Sequence, residues 1–311
     1  MKFKNALITG GAGFIGGHLA HRLTSAGMNV RVLDNLSVGR KENIPDSAEF
    51  IKGDIRDTAI LSKAFKNVEI VYHLAAKVSI RLAVEEFVND ADINLMGTLN
   101  VLKAARDAEC RKIIYASSMA VYGNPDHSPQ NTSHPLRPTS PYGISKMASE
   151  KYISILAPLW GIDFVNLRLF NTYGPRQTPS PYVGVITIFI RNLLAGDPLK
   201  IFGDGKQQRD FIYVGDVARA FELAGESDTS GIALNVGTGI PTDVNRIAQM
   251  LTCKLDSEAH VEHTPPVPGE PGDSLAETKQ TYQAIGFKSE YRIENKIDEV
   301  IEWNKADFGI S

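Results

Sequence analysis

A doubly wound parallel α/β sheet carrying a smaller, interleaved C-terminal lobe is the fold this sequence predicts. Three observations predict it. Short apolar runs alternate with longer helix-like stretches through the first half of the chain. A glycine-rich turn joins the first apolar run to the first helical stretch. From about Gly174 the rhythm changes to Pro- and Gly-rich segments. Regular strand–helix alternation calls for a parallel sheet covered by helices on both faces.

The first strand is Ala6 to Thr9, and it runs directly into Gly10-Gly11-Ala12-Gly13-Phe14-Ile15-Gly16. A helix follows to Ala26, and the next strand, Val30 to Leu33, closes on Asp34. Gly10 and Gly13 let the chain turn tightly and bring backbone N–H groups up to a pyrophosphate, while Gly16 lets the helix pack on the strand. The helix N-terminus then faces the anion with free N–H groups and its positive dipole end. Asp34, eighteen positions after Gly16, is placed to accept from both ribose hydroxyls and would repel a 2′-phosphate. This is a Rossmann-type unit, and NAD rather than NADP is its expected cofactor.

Further strands are read at Ala48 to Lys52, Ile70 to Leu74, Lys112 to Ala116 and Asp163 to Arg168. Helices are read at Ala59 to Lys66, Asp92 to Ala108 and Tyr142 to Leu159. Beyond Gly174 come the Pro-rich segment Pro175 to Pro181, a helix at Val185 to Ala195, a strand at Leu199 to Phe202 and a Pro/Gly cluster at Pro265 to Gly272. These define a substrate lobe. Gln208 to Val214 and Ala233 to Val236 read as strands flanking a helix from Gly215 to Ala224, and both are expected to return to the main sheet. The division is therefore a nucleotide domain over residues 1–174, with returns at about 206–239, and a lobe formed mainly by 175–311.

A net charge of −3 offers no basic field for nucleic acid, so the partner is expected to be a small molecule. Cys110 and Cys253 are far apart and lack metal-ligand spacing; both are expected to be buried free thiols in a reducing compartment, with no metal site. Met1 to Asn5 leads straight into the first strand, and no apolar run approaches membrane-spanning length. A cytoplasmic protein with no membrane partner is expected.

Tyr142 and Lys146 stand four apart at the start of a helix, so they project from one face, about one turn apart. A phenol with a pKa near ~10 is a poor base at neutral pH, but an ammonium and a cationic nicotinamide both favour the phenolate. Tyr142 is thereby a proton acceptor. Ser118 falls at the carboxyl end of a predicted parallel strand, where open α/β sheets bind ligands. Its hydroxyl is placed to orient a substrate hydroxyl against Tyr142.

In order along nearly the whole chain, Thr9 to Gly16, Asp34 to Ser37, Gly53 to Asp57, His73 to Ala76, Asn94 to Thr98, Ser117 to Gly123, Tyr142 to Lys146, Arg168 to Pro175, Phe202 to Gly205, Arg209 to Val217 and Asn235 to Gly239 resemble the extended short-chain dehydrogenase/reductase family. The resemblance is to its nucleotide-sugar epimerases and dehydratases, and most of all to the UDP-hexose 4-epimerases. It implies that Gly10, Gly13, Phe14, Ile15, Gly16, Asp34, Asn35, Asp54, Ile55, Leu74, Ala75, Ala76, Tyr142 and Lys146 bind the cofactor, with Asp54 and Ile55 flanking the adenine and Lys146 holding the nicotinamide ribose. It further implies that Ser118 and Tyr142 contact the sugar 4-hydroxyl, that Asn171 and Arg209 hold the diphosphate, that Phe202 lies against uracil and that Ser274 leaves room for an N-acetyl group. His73 is expected only to buttress a strand end.

The implied reaction is C4 epimerisation of UDP-glucose/UDP-galactose or UDP-GlcNAc/UDP-GalNAc through a transient 4-keto sugar, in a homodimer built on the helices Asp92 to Ala108 and Tyr142 to Leu159. The 4,6-dehydratases resemble one another in an Asp-Glu pair after the serine, and this chain has Met119 and Ala120. Neither side chain transfers a proton, so epimerisation is favoured. A dehydratase or a UDP-uronate epimerase with a base from elsewhere stays open, as does, in a different class, an NAD-binding regulatory protein without catalysis. One departure stands out: Val267 occupies the place of a usual diphosphate-binding Arg, so either Arg209 carries that role alone or Arg191 or another cation substitutes.

Overall fold

The computed structural model describes residues 2–78, 80–178, 184–265 and 273–309. In the first half, β1 (Asn5–Thr9), α1 (Phe14–Ser25), β2 (Asn29–Asp34), β3 (Glu49–Lys52), α2 (Thr58–Ala64) and β4 (Ile70–His73) follow the predicted alternation. Next come α3 (Ile80–Glu85), α4 (Phe87–Ala91), a wide-turned π-helical segment over Asp92–Met96, α5 (Gly97–Asp107), β5 (Lys112–Ser118), α6 (Pro141–Leu159) and β6 (Asp163–Leu169). The second half holds β7 (Asn171–Tyr173), α7 (Val185–Ala195), β8 (Leu199–Phe202), β9 (Gln208–Tyr213), α8 (Val214–Glu226), β10 (Ile232–Val236), β11 (Pro241–Asp243), α9 (Val244–Lys254), β12 (Val261–Thr264), α10 (Lys279–Ile285) and α11 (Ile293–Phe308).

Seven strands form one parallel sheet in the order β3-β2-β1-β4-β5-β6-β10. Side chains alternate between its faces. Ala6, Ile8, Val30, Val32, Ile70 and Tyr72 pack with Leu19 and Leu23 of α1 and Val217 and Phe221 of α8. Leu7, Leu33, Val71, Ile113 and Tyr115 face the other way, toward Leu61 of α2, Val101 and Leu102 of α5 and Ile153 of α6. Each such aliphatic side chain contributes on the order of 1.5–3 kcal/mol when fully buried, which is why these strands read as nearly continuous apolar runs.

Of the two segments expected to return to this sheet, β10 does so beside β6. β9 does not. It lies in a separate three-stranded sheet, parallel to β7 and antiparallel to β11, over a core built from α7, α9 and α11. β8 pairs with β12 in a further two-stranded unit. Apolar alternation fixes which face of a strand is buried but not which sheet it joins, and that is where the expectation failed. The cysteine expectation also needs correction: Cys110 is buried, its Sγ 3.2 Å from the Val68 carbonyl, whereas Cys253 on α9 is exposed. Among the described residues no helix is long and apolar enough to cross a membrane.

Candidate active site

The strand order reverses at β1, between β4 and β2, so a crevice opens outside the carboxyl ends of those strands, where ligands of open α/β sheets bind. Gly10, just beyond β1, has φ +72°, and a Cβ there would sit 2.7 Å from the Ala75 nitrogen. At Gly16 a Cβ would lie 2.1 Å from the Gly10 carbonyl oxygen. The loop is thus held against β4's exit at glycine-only spacing. α1 begins at Phe14 with no side-chain cap, which leaves first-turn N–H groups facing the crevice. The rings and stems of Phe14 and Ile15 point instead into the lobe core, so these two residues offer the crevice their backbone.

Asp34 ends β2 with its carboxylate buried; Oδ1 accepts from Leu36 N at 2.8 Å and Oδ2 from Ala12 N at 3.0 Å. Burial pushes its pKa up against those two bonds. Asn35 donates to Asp54 Oδ2 at 2.9 Å, and Arg56 grips both Asp54 oxygens at 2.9 Å. The Arg56 guanidinium holds that carboxyl well below the usual range. Ile55 packs its side chain into the sheet core. This glycine-lined cradle, with a carboxylate at its far end, fits a dinucleotide.

His73 closes β4. Its Nδ1 pairs with Thr9 Oγ1 at 2.7 Å and its Nε2 with Thr98 Oγ1 at 2.9 Å. Full burial pushes its pKa down to about 3, so it is a neutral strut, as expected. Leu74 and Ala75 are drawn back onto β1 by bonds from their N–H groups to Thr9 O and Thr9 Oγ1, at 3.1 and 3.3 Å. Ala76 follows, half-buried.

Ser118 ends β5 in extended backbone and caps the short turn Met119–Val121, its Oγ accepting from Ala120 N at 3.2 Å. α6 starts sharply: Pro141 stands in its first turn and Ser140 Oγ accepts from Gly143 N at 3.1 Å, a good N-cap with proline where its missing N–H is harmless. That start sets Tyr142 beside Ser118, which favours the phenolate against burial. One turn on, Lys146 Nζ donates to Ala116 O at 2.8 Å, 5.8 Å from the Tyr142 ring centroid and 4.9 Å from that of Tyr115. Burial pushes the Tyr142 phenol well up and the Ser118 bond opposes it. Burial likewise pushes the Lys146 ammonium down to about 8. Burial, aided by the charge of Asp90, outweighs Ser118 at the phenol.

Sequence reasoning missed the scaffold beneath. Glu150, one turn beyond Lys146, pairs with Arg168 of β6 through Oε1–Nε at 2.9 Å and Oε2–Nη2 at 2.8 Å, both side chains buried. Arg168 also donates to Tyr122 Oη at 3.0 Å, and Tyr122 Oη donates to Asn235 Oδ1 at 2.6 Å. Ser117 bonds the same Glu150 carboxylate. Breaking a buried pair of this kind costs about 3–5 kcal/mol. Its signal in sequence is only a polar residue inside an apolar strand.

On the lobe side, Asn171 Nδ2 donates to Ser274 Oγ at 3.2 Å, and the Ser274 backbone runs parallel beside that of Arg209, its N–H donating to Gln208 O at 2.9 Å. The three therefore come together. Arg209 donates to Gln208 O at 3.0 Å. Phe202 ends β8, its carbonyl accepting from Gln207 at 3.0 Å. Asp210, buried beside them, accepts from Thr238 N, Gly239 N and Ala276 N at 2.7–3.1 Å and fixes the segment carrying Ser274. Arg191, on α7, is engaged with Asp307 and Asn304 of α11. Val267 and the rest of the Pro/Gly cluster from residue 266 to 272 lie outside the described residues, as do residues 179–181 of the Pro-rich segment.

The model of the NAD dependent epimerase/dehydratase family matches residues 6–237. A UDP-glucose 4-epimerase of Mycolicibacterium smegmatis is 37% identical over 306 residues, covering 96% of this chain and 97% of its own. Among solved structures, the UDP-N-acetylglucosamine 4-epimerase of Methanobrevibacter ruminantium, in complex with UDP-N-acetylmuramic acid, superposes with a TM-score of 0.94 at 36% identity, covering 99% of this chain and 100% of its own. The Thermus thermophilus UDP-glucose 4-epimerase in complex with NAD gives a TM-score of 0.91 at 35% identity, covering 97% and 99%.

Proposed function

Because the chain belongs to the NAD-dependent epimerase/dehydratase family, we propose that it interconverts the C4 epimers of a UDP-hexose. The observation that carries this reading is the meeting of Ser118, Tyr142 and Lys146 at one strand end, with the two residues after Ser118 unable to move a proton. Bound along the glycine cradle, NAD supplies the hydride acceptor for C4 and its return to the opposite face, so it ends the turnover as it began. Tyr142 takes the proton of the 4-hydroxyl and later gives it back. Ser118 orients that hydroxyl. Lys146 holds the nicotinamide ribose and keeps a positive charge one turn from the phenol.

For the ligand grips, Asp34 takes the adenosine ribose, Asn35, Asp54 and Ile55 line the adenine end, and Leu74, Ala75 and Ala76 line the channel between. Asn171 and Arg209 hold the diphosphate, with Phe202 against uracil. The small Ser274 side chain admits an N-acetylated sugar, and UDP-GlcNAc is the substrate we put first. Residues 1–174 with β10 form the nucleotide half, and the remainder of 175–311 forms mainly the sugar half.

A homodimer completes the reading. Phe87, Val88 and Met96 near α4, and Ile144, Tyr152, Ile155 and Leu159 on α6, are large apolar side chains left exposed on helices that pack side by side. An apolar face of this kind on a soluble chain marks an association surface. A cytoplasmic location fits the free thiols.

Proton NMR in heavy water with NAD and either UDP-GlcNAc or UDP-glucose tests the reaction. The expected product is the C4 epimer with no deuterium at C5. Deuterium at C5 together with loss of water identifies a dehydratase instead, and an unchanged spectrum with both sugars removes the proposal.

A further inference from the structure

Asp90 lies on α4, 1% exposed, outside every motif that the sequence pattern singled out. Its Oδ2 accepts from Ser145 Oγ at 2.6 Å and its Oδ1 from Asn94 Nδ2 at 2.8 Å. An amide N–H on one oxygen and a hydroxyl on the other hold the carboxyl in place, and burial pushes its pKa up against those two bonds. Both donors are neutral, so neither compensates the charge that burial makes expensive.

The charged and titratable groups around it are few. Lys77, on the segment after β4, has its main chain clamped by Asn94 and its ammonium engaged by Glu86. Lys146 sits next to Ser145 on α6, the helix packed against α4. Lys146 in turn faces Tyr142 and Glu150 on its own helix, Tyr115 on β5 and His73 on β4. Both rings beside it are neutral phenols pushed well up by burial. His73 is neutral too, and the charge of Glu150 is matched by the two-pronged grip of Arg168. Asp90 is left as the carboxylate whose charge the Lys146 ammonium can answer, and of the groups that raise the lysine's affinity for its proton it acts most strongly.

We infer that Asp90 is a positioning residue: its buried carboxylate is the fixed counter-charge of the Lys146 ammonium, held in register through Ser145. The inference rests on the epimerase reading only for its kinetic consequence. The ammonium must survive burial to hold the ribose, and a carboxylate on the neighbouring helix favours its charged form; the same carboxylate pushes the Tyr142 phenol up, so its service is to the lysine and not to the phenol.

The test compares Asp90→Asn, which removes the charge at constant shape, with Ser145→Ala, which removes the hydrogen bond and leaves the charge. Lysine Cε carbon NMR of the protein without added cofactor reads the Lys146 titration directly. Asp90→Asn is expected to move its midpoint down from about 8 by about one pH unit, the scale of losing one buried charge that acts on the ammonium through space at protein-like dielectric. The basic limb of kcat is expected to move with it. Ser145→Ala is expected to move both less. An unmoved Lys146 midpoint in Asp90→Asn overturns the pairing. Should Asp90→Asn not fold, Lys146→Met serves, because coupling is reciprocal: the Asp90 carboxyl midpoint is expected to rise, and an unchanged one overturns the inference. If the wild-type protein forms no epimer, the functional reading fails while the NMR titrations still decide the pair.

Discussion

Tyr142 and Lys146 are pushed in opposite directions by the same cause, burial, and both shifts favour the neutral form. Removing the phenol is expected to lower kcat by about 10²–10⁴, and Tyr142→Phe measured alongside NADH binding separates that loss from a binding defect. Retained turnover would sink the assignment of the proton acceptor. The pH dependence follows from the lysine. A group needed as an ammonium fails as pH rises through its folded value, so kcat is expected to fall above about pH 8. Stability runs the other way. The folded value lies below the unfolded one, so between about 8 and the usual lysine range the unfolded chain holds the extra proton, and this group's contribution to stability grows as pH rises. A kcat profile flat to pH 10 would remove Lys146 from the reaction. These residues were legible because Tyr-x-x-x-Lys on a helix and Ser at a strand end are local patterns. Asp90 was not, because the partner that reveals it, Ser145, is 55 positions away.

At the scale of elements, the cradle is the part most sharply specified. A methyl group on residue 16 would overlap the Gly10 carbonyl at 2.1 Å and the Gly11 Cα at 2.8 Å, so the turn must open or α1 must lift from β1. Gly16→Ala is expected to weaken NAD binding at least about tenfold and to destabilise the fold by about 1–3 kcal/mol, the usual range for an overpacked site. Calorimetric titration with NAD and a denaturant melt read the two effects, and wild-type NAD affinity would mean that the loop does not grip the cofactor. The inner strands β1, β4 and β5 were legible for the same reason that they are stable: buried on both faces, they read as nearly continuous apolar runs. α3 and α4 were not. At six and five residues they are too short for a 3.6-residue period to register, and the π-helical segment after them shifts the phase of what the pattern shows as one helix from Asp92. The widened turn has its own use: the Asn94 carbonyl accepts both the Thr98 and the Ser149 hydroxyls, at 2.6 and 3.2 Å, and so ties the strut of His73 to the helix of Tyr142.

The whole molecule places α6 between two demands. α6 turns Tyr142, Lys146 and Glu150 inward, all buried, while Ile144, Tyr152, Ile155 and Leu159 on the same helix stay exposed. Those positions recur at helical spacing and continue the apolar face of α4, with Leu159 73% exposed, so a second copy docking there would cover them. Full burial of such side chains contributes on the order of 1.5–3 kcal/mol each, and these four together with Phe87, Val88 and Met96 exceed the low end of what association loses in translational and rotational freedom, about 4–15 kcal/mol. A charge at the centre of that face reverses the balance, because a buried unpaired carboxylate costs more than the contact gains. Ile155→Asp is expected to shift the protein from dimer to monomer in sedimentation analysis at micromolar concentration. Because the same helix carries Tyr142 and Lys146, the monomer is also expected to melt at a lower temperature and turn over more slowly. Sedimentation of the wild-type chain as a monomer would remove the dimer, and a variant that stays dimeric would move the interface to another face.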